Sequence, residues 1–148
     1  MELSAAQRER YERNLLVEGF TDRMQQALIA ARVAVVGAGG LGSAALNYLV
    51  AAGVGHLTLI ENDTVSLSNL QRQVLYTTAD MGRPKAEVAA MRLSRLNPGC
   101  DIRVVTDRLT AANAAGLLGG HDAVVDCTDN YDARYVIDDF CREAEVPM

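Results

Sequence analysis

Cysteine and histidine are scarce in this chain: of 148 residues, three are cysteine and two are histidine. Cys100, Cys127 and Cys141 are odd in number and far apart, without a Cys-x-x-Cys spacing, which excludes a compact zinc knuckle or dithiol redox motif. Reduced thiols in a cytosol are the simple reading, and a cytoplasmic protein is expected. His56 and His121 fall at expected strand starts, and no Ser-His-Asp or Cys-His pair is evident. The chemistry should therefore need no side-chain nucleophile. No apolar run approaches the roughly 20 residues of a membrane span. The N-terminal stretch, with Glu2, Arg8, Glu9, Arg10, Glu12 and Arg13, is neither a signal peptide nor an acid-poor transit peptide. A soluble protein without membrane contact is expected. A net charge of −5 argues against nonspecific nucleic-acid binding and leaves room only for a focused phosphate site.

What is present alternates between strand and helix. Ser4 and Gln7 can form a capping box for a first helix from Ala5 to Glu18, with Gly19 as a left-handed stop. On that helix Tyr11, Leu15 and Leu16 mark an apolar side, and Arg10, Arg13 and Asn14 share another face. A second helix spans Asp22 to Ala31. Arg32–Val36 is a short apolar run closed by glycines, the pattern of a strand covered on both faces. A helix from Gly42 to Ala52 and a strand from His56 to Ile60 complete a βαβ unit. Pro84 suits the first position of a helix ending before Asn97-Pro98-Gly99, which puts Lys85 in its first turn. Strands at Ile102–Thr106 and Ala123–Cys127 flank an Ala-rich helix that Thr110 can cap, and a helix from Asn130 or Tyr131 to Glu143 follows. Val146-Pro147-Met148 reads as the start of a fifth strand, so a fragment of a longer protein is expected. The predicted fold is α/β, a doubly wound parallel sheet of Rossmann-like type, with N-terminal helices over 1–31 and a nucleotide-binding half over 32–148.

Gly37-x-Gly39-x-x-Gly42 follows a strand and opens a helix, so backbone amides and the helix dipole can face a phosphate that a side chain at Gly39 or Gly40 would obstruct. Glu61 ends the second strand about 20 residues later, where an acid can accept from ribose hydroxyls of NAD, FAD or ATP alike. Asp63 is a second polar contact or a turn former. Discrimination comes from Arg72 and Lys85. A triphosphate with magnesium carries about four negative charges that need converging cations, whereas a pyrophosphate on a helix N-terminus does not. Lys85 in a helix's first turn is electrostatically misplaced unless an anion faces it. Asp129, just past the fourth strand, could hold Mg²⁺ or cap the next helix; Asp126 and Thr128 are weaker candidates. The polar run Ser68-Asn69-Leu70-Gln71-Arg72-Gln73 would form a wall of the site.

Through Gly37–Gly42, Ser68–Gln73, Arg83-Pro84-Lys85, Asp126-Cys127-Thr128-Asp129-Asn130 and the early Arg10-Tyr11-Glu12-Arg13-Asn14, the sequence resembles the ThiF, MoeB and HesA family of E1-like activating enzymes. The resemblance covers essentially the whole chain. It implies adenylation of the C-terminal glycine of a ubiquitin-like sulfur carrier protein with Mg-ATP, releasing pyrophosphate, in thiamine or molybdopterin biosynthesis. By position it places Gly40 at the phosphates, Glu61 at the ribose, Asn69, Arg72 and Lys85 at the triphosphate, and Asp129 on the metal. Gly37, Gly39, Gly42, Asp63, Ser68 and Asn130 would complete the nucleotide site. It also implies a homodimer in which Arg13 reaches the partner's nucleotide. The family's acid at the ribose is usually Asp, so Glu61 is one methylene longer. Its paired Cys-x-x-Cys zinc ligands and reactive cysteine belong to a C-terminal half beyond this sequence, so zinc is expected only there. A nicotinamide-dependent oxidoreductase, from the glycine motif and Glu61 alone, and a non-catalytic E1-like scaffold are the alternatives.

Overall fold

A computed structural model describes residues 2–148. Four parallel strands, β1 (Arg32–Val36), β2 (His56–Ile60), β3 (Asp101–Val105) and β4 (Ala123–Asp126), form one sheet in the order β3-β2-β1-β4. The register pairs Val36 with both Ile60 and Asp126, and Ile60 with Val105. All four strands therefore end level along one edge.

Successive residues of β1 point to opposite faces, and both faces are covered. Val33 and Val35 join Leu57 and Leu59 under helices α4 (Gly40–Ala52) and α5 (Lys85–Leu96), which supply Leu46, Val50, Val88 and Leu93. Ala34, Val36, Ile60 and Val124 pack on the other side with Leu118 of α6 (Ala114–Leu118) and Ile137 and Cys141 of α7 (Tyr131–Ala144). Full burial of such aliphatic side chains contributes about 1.5–3 kcal/mol each, so the central strand is the rigid base from which the loops at its C-terminal end hang. The doubly wound parallel fold expected from the sequence is the observed one. No helix among the described residues is long and apolar enough to cross a membrane.

The N-terminal helices differ from expectation. The Ser4–Gln7 capping box forms, and Gly19 is left-handed at φ 81°, but the single helix expected over 5–18 breaks at Tyr11 into α1 (Ala5–Arg10) and α2 (Glu12–Leu15). Tyr11 is buried. Its hydroxyl accepts from Asn97 Nδ2 at 3.0 Å, and its ring lies where a side chain on Gly53 would sit. The break separates residues that a continuous helix would have aligned. Arg10 donates to the Leu96 carbonyl at the end of α5, Asn14 donates to Gln25 Oε1 and the Ala52 carbonyl, and Arg13 projects outward with an 88 % exposed side chain. Leu16, expected on the apolar side, is exposed. Helix α3 (Asp22–Ala30) forms as expected, capped by Thr21.

Three smaller differences lie at element ends. Pro84 is the N-cap residue of α5 and Lys85 its first helical residue. Thr110 caps no helix: its N–H donates to Asn113 Oδ1, and α6 begins only at Ala114. Val146–Met148 form no assigned strand, although the Val124 N–H of β4 donates to the Pro147 carbonyl at 3.0 Å.

Candidate functional site: a cleft at the switch point

Strands β2 and β3 are laid down on one side of β1, and β4 on the other. At that reversal the loops leaving β1 and β4 diverge, which opens a crevice at the strand C-termini. A cleft of about 1030 Å³ occupies it.

Its floor is the glycine turn. Gly37 has φ 96°, and a Cβ there would lie 2.7 Å from the Cys127 carbonyl oxygen. A Cβ on Gly42 would lie 2.1 Å from the Gly37 oxygen, so Gly42 closes the turn by packing and does not line the cleft. Gly37, Gly39 and Gly40 do line it. Gly39 caps α4 without a side chain, and the N–H groups of Gly39 and Gly40 have no acceptor among the described residues. The end of a 13-residue helix therefore meets the cleft with open donors and positive dipole, a natural anion seat.

Glu61 hangs at the end of β2 and grips this turn. Its Oε2 accepts from the Ala38 N–H at 2.8 Å and its Oε1 from the Asp63 N–H at 2.9 Å. Each oxygen keeps a lone pair that a ribose hydroxyl could use. Lys85 is almost fully buried, and its Nζ pairs with Asp63 Oδ2 at 3.1 Å. The anion required by a cation in a helix's first turn is thus supplied by the protein. Asp63 is that counterion, and it reaches the cleft alongside Lys85.

The polar run contributes unevenly. Arg72 lies across Gly40, its side-chain carbons 3.4 Å from where a Cβ would be, and its guanidinium makes only a long 3.4 Å bond to the Ser68 carbonyl. Asn69 lines the cleft while its Oδ1 accepts from Ser66 Oγ, and its amide N–H₂ has no acceptor among the described residues. Ser68 does not line the cleft; its hydroxyl faces Ser66. Gln73 is buried in the wall beside Gly39, and its Oε1 has no partner among the described residues.

On the β4 side, Asp126 Oδ1 accepts from both the N–H and the hydroxyl of Thr128, and Arg134 donates to the Thr128 carbonyl at 2.9 Å. These groups knot the loop. Asn130, not Asp129, caps α7, its Oδ1 accepting from the Ala133 N–H. Asp129 is left exposed in the cleft wall with no partner among the described residues. Sequence reasoning missed the far wall, Asp107 to Ala111, because a loop after a strand carries no motif of its own. Arg13 lies outside this cleft. The three thiols are buried, and burial raises their pKa, that of Cys100 to about 11, so they are poor nucleophiles.

Fold and cleft define a doubly wound α/β domain with an anion-seating helix end, three cations, Arg72, Lys85 and Arg108, and the free carboxylate of Asp129 among the acids around one crevice. A model of the ThiF family matches residues 11–148. The chain belongs to the ThiF family. It is 48 % identical over 147 residues to the molybdopterin-synthase adenylyltransferase of Salmonella typhimurium, covering 99 % of this chain and 59 % of that protein. The sulfur carrier protein ThiS adenylyltransferase of Escherichia coli is 42 % identical over 139 residues, 94 % of this chain and 55 % of that one. Among solved structures, E. coli tRNA N6-threonylcarbamoyladenosine dehydratase, TcdA, in complex with ATP superposes with a TM-score of 0.92 at 33 % identity, covering 99 % of this chain and 60 % of that one. The chain thus spans under two thirds of the length of these relatives.

Proposed function

We propose that residues 32–148 form the ATP-binding half of an adenylyltransferase that activates the C-terminal glycine of a ubiquitin-like sulfur carrier protein, with residues 1–31 as a helical preface. The observation that carries this reading is the convergence on one cleft of the open glycine-turn donors, Arg72, Lys85 and the unpartnered Asp129. A pyrophosphate alone would not need both cations beyond the helix end, which disfavours the nicotinamide alternative. An inactive scaffold would have no use for them.

The reaction needs no protein nucleophile. A carboxylate oxygen of the carrier's terminal glycine attacks the α-phosphorus of ATP, the bond from that phosphorus to the bridging oxygen breaks, and pyrophosphate leaves with the electron pair. An acyl adenylate remains, and no proton is transferred. Glycine-turn N–H groups, Arg72 and Lys85 would hold the triphosphate and oppose the charge that develops on the leaving group. Glu61 would fix the ribose. A free carboxylate at the strand end suits Mg²⁺, which is commonly held by one or two carboxylates together with phosphate oxygens and water. Asp129 would hold the ion, which supplies further charge neutralisation.

A homodimer fits two features. Arg13 stands outside its own cleft, and the outer side of α4 presents Leu41 and Tyr48, 64 % and 78 % exposed, next to the cleft floor. A second copy would cover that apolar side and could bring Arg13 to the partner's nucleotide.

The test is exchange of labelled pyrophosphate into ATP by the full-length protein, dependent on carrier and run with both the thiamine and the molybdopterin carriers. Exchange with one of them, abolished by Asp129→Ala, is expected. No exchange with any sulfur carrier, or exchange untouched by that substitution, would sink the reading.

A further inference from the structure

Tyr76 is buried against the core beneath the glycine turn, and its hydroxyl donates to the Ala38 carbonyl at 2.8 Å. We propose that Tyr76 is a positioning residue whose hydroxyl sets the orientation of the glycine turn, so that the turn's N–H groups face the triphosphate; this rests on the adenylation reading above.

The geometry is specific to one peptide. Ala38 is fully buried and held at both ends: its N–H by Glu61 Oε2 and its carbonyl by Tyr76. The Ala38–Gly39 peptide is trans, so its carbonyl and its N–H point in opposite directions. Anchoring the carbonyl on Tyr76 therefore turns the Gly39 N–H to the other side, where Gly39 lines the cleft. Gly39, on one side of that plane, offers little resistance to its rotation. Without an anchor, the plane could swing and withdraw a donor.

Tyr76 is itself braced. Its N–H donates to the Gln73 carbonyl at 3.1 Å, Arg92 of α5 donates to the neighbouring Leu75 carbonyl and pairs with Asp80, and Asp80 accepts from the Thr77 N–H. The second arm runs from Lys85 through Asp63 to Glu61. Both arms start on α5, so one helix holds Ala38 through both its N–H and its carbonyl. Burial, and next the charge of Glu61, push the phenol well above its ordinary pKa, so the hydroxyl remains a donor throughout the working pH range.

The experiment compares Tyr76→Phe with the wild type in the full-length protein, by calorimetric binding of Mg-ATP and by amide hydrogen exchange of the nucleotide-free protein. Val88→Ala, a core change outside the cleft, controls for general loss of stability. Tyr76→Phe should weaken Mg-ATP binding about fivefold, the size expected of one neutral hydrogen bond. It should speed exchange at the buried Ala38 N–H, which Glu61 holds, and leave the carrier's KM unchanged. Val88→Ala should lower the melting temperature without either effect. Wild-type Mg-ATP affinity in Tyr76→Phe, or loss of affinity in Val88→Ala in proportion to its lost stability, would overturn the proposal. If the wild type binds no Mg-ATP, the adenylation reading falls, and with it the role assigned to Tyr76.

Discussion

Removing the carboxylate of Asp63 asks whether Lys85 is held for the fold or for a ligand. The pair is lopsided: the Lys85 side chain is 4 % exposed and that of Asp63 69 %. At their 3.1 Å separation the attraction would be ~1.3 kcal/mol in bulk water and ~5 kcal/mol at the effective dielectric of a protein surface. An exposed pair is worth about 0–1 kcal/mol, and breaking a fully buried one costs about 3–5 kcal/mol because a charge is stranded. With the cation buried and the anion in solvent, Asp63→Ala should cost about 2 kcal/mol of unfolding free energy. Lys85→Met removes the stranded charge and keeps the unbranched stem, so the double variant should recover most of that loss. Urea unfolding of the four proteins closes the cycle. Pyrophosphate exchange should separate the roles: Lys85→Met should lower it by about 100-fold or more, and Asp63→Ala by less than about tenfold. A neutral Asp63→Ala, or a double variant as unstable as the single, would refute the stranded-charge account. A folded Asp63→Ala without exchange would move Asp63 into the chemistry.

Arg72→Ala should lower carrier-dependent exchange by about 100-fold or more while leaving the urea midpoint nearly unchanged, because Arg72 is exposed and makes only one long hydrogen bond; an unfolded variant would assign Arg72 a structural role. Asp80 is buried, which by itself would raise its pKa, but bonds from Thr77 and the charges of Arg92 and Arg83 outweigh this and hold it below the ordinary 3.8. Its contribution to stability is then complete above pH 3.8 and is lost as pH falls from there through the lowered folded value. Urea midpoints measured at pH 7 and pH 3 should fall further for the wild type than for Asp80→Asn, and equal falls would exclude Asp80 as the source.

Much of the architecture was legible because periodicity and punctuation agree. The continuous apolar runs of β1 and β2, each followed by polar or glycine residues, gave both strands at their observed bounds. The glycine spacing located the cleft floor for the same reason: close approach leaves no room for side chains at Gly37 and Gly42. Where the reading failed, a distant residue decided. Nothing local in Arg10–Asn14 says that Tyr11 will leave its helix for Asn97 and Gly53, 86 and 42 positions away in number. The roles of Asp129 and Asn130 depend on which one turns back to the Ala133 N–H, and both residue types cap helices well.

The sequence by itself determined the fold class, the position of the glycine turn and the identities of the charged groups near it, since these depend on short-range spacing and residue chemistry. Only the tertiary structure decided how those charges are shared. It gave Lys85 its counterion in Asp63, Glu61 its grip on Ala38, and Tyr76 its place under the turn. It also left Asp129 without a partner among the described residues and put Arg13 outside its own cleft. Each of these outcomes depends on segments separated along the chain, brought together or kept apart by packing around β1, and no local pattern encodes it.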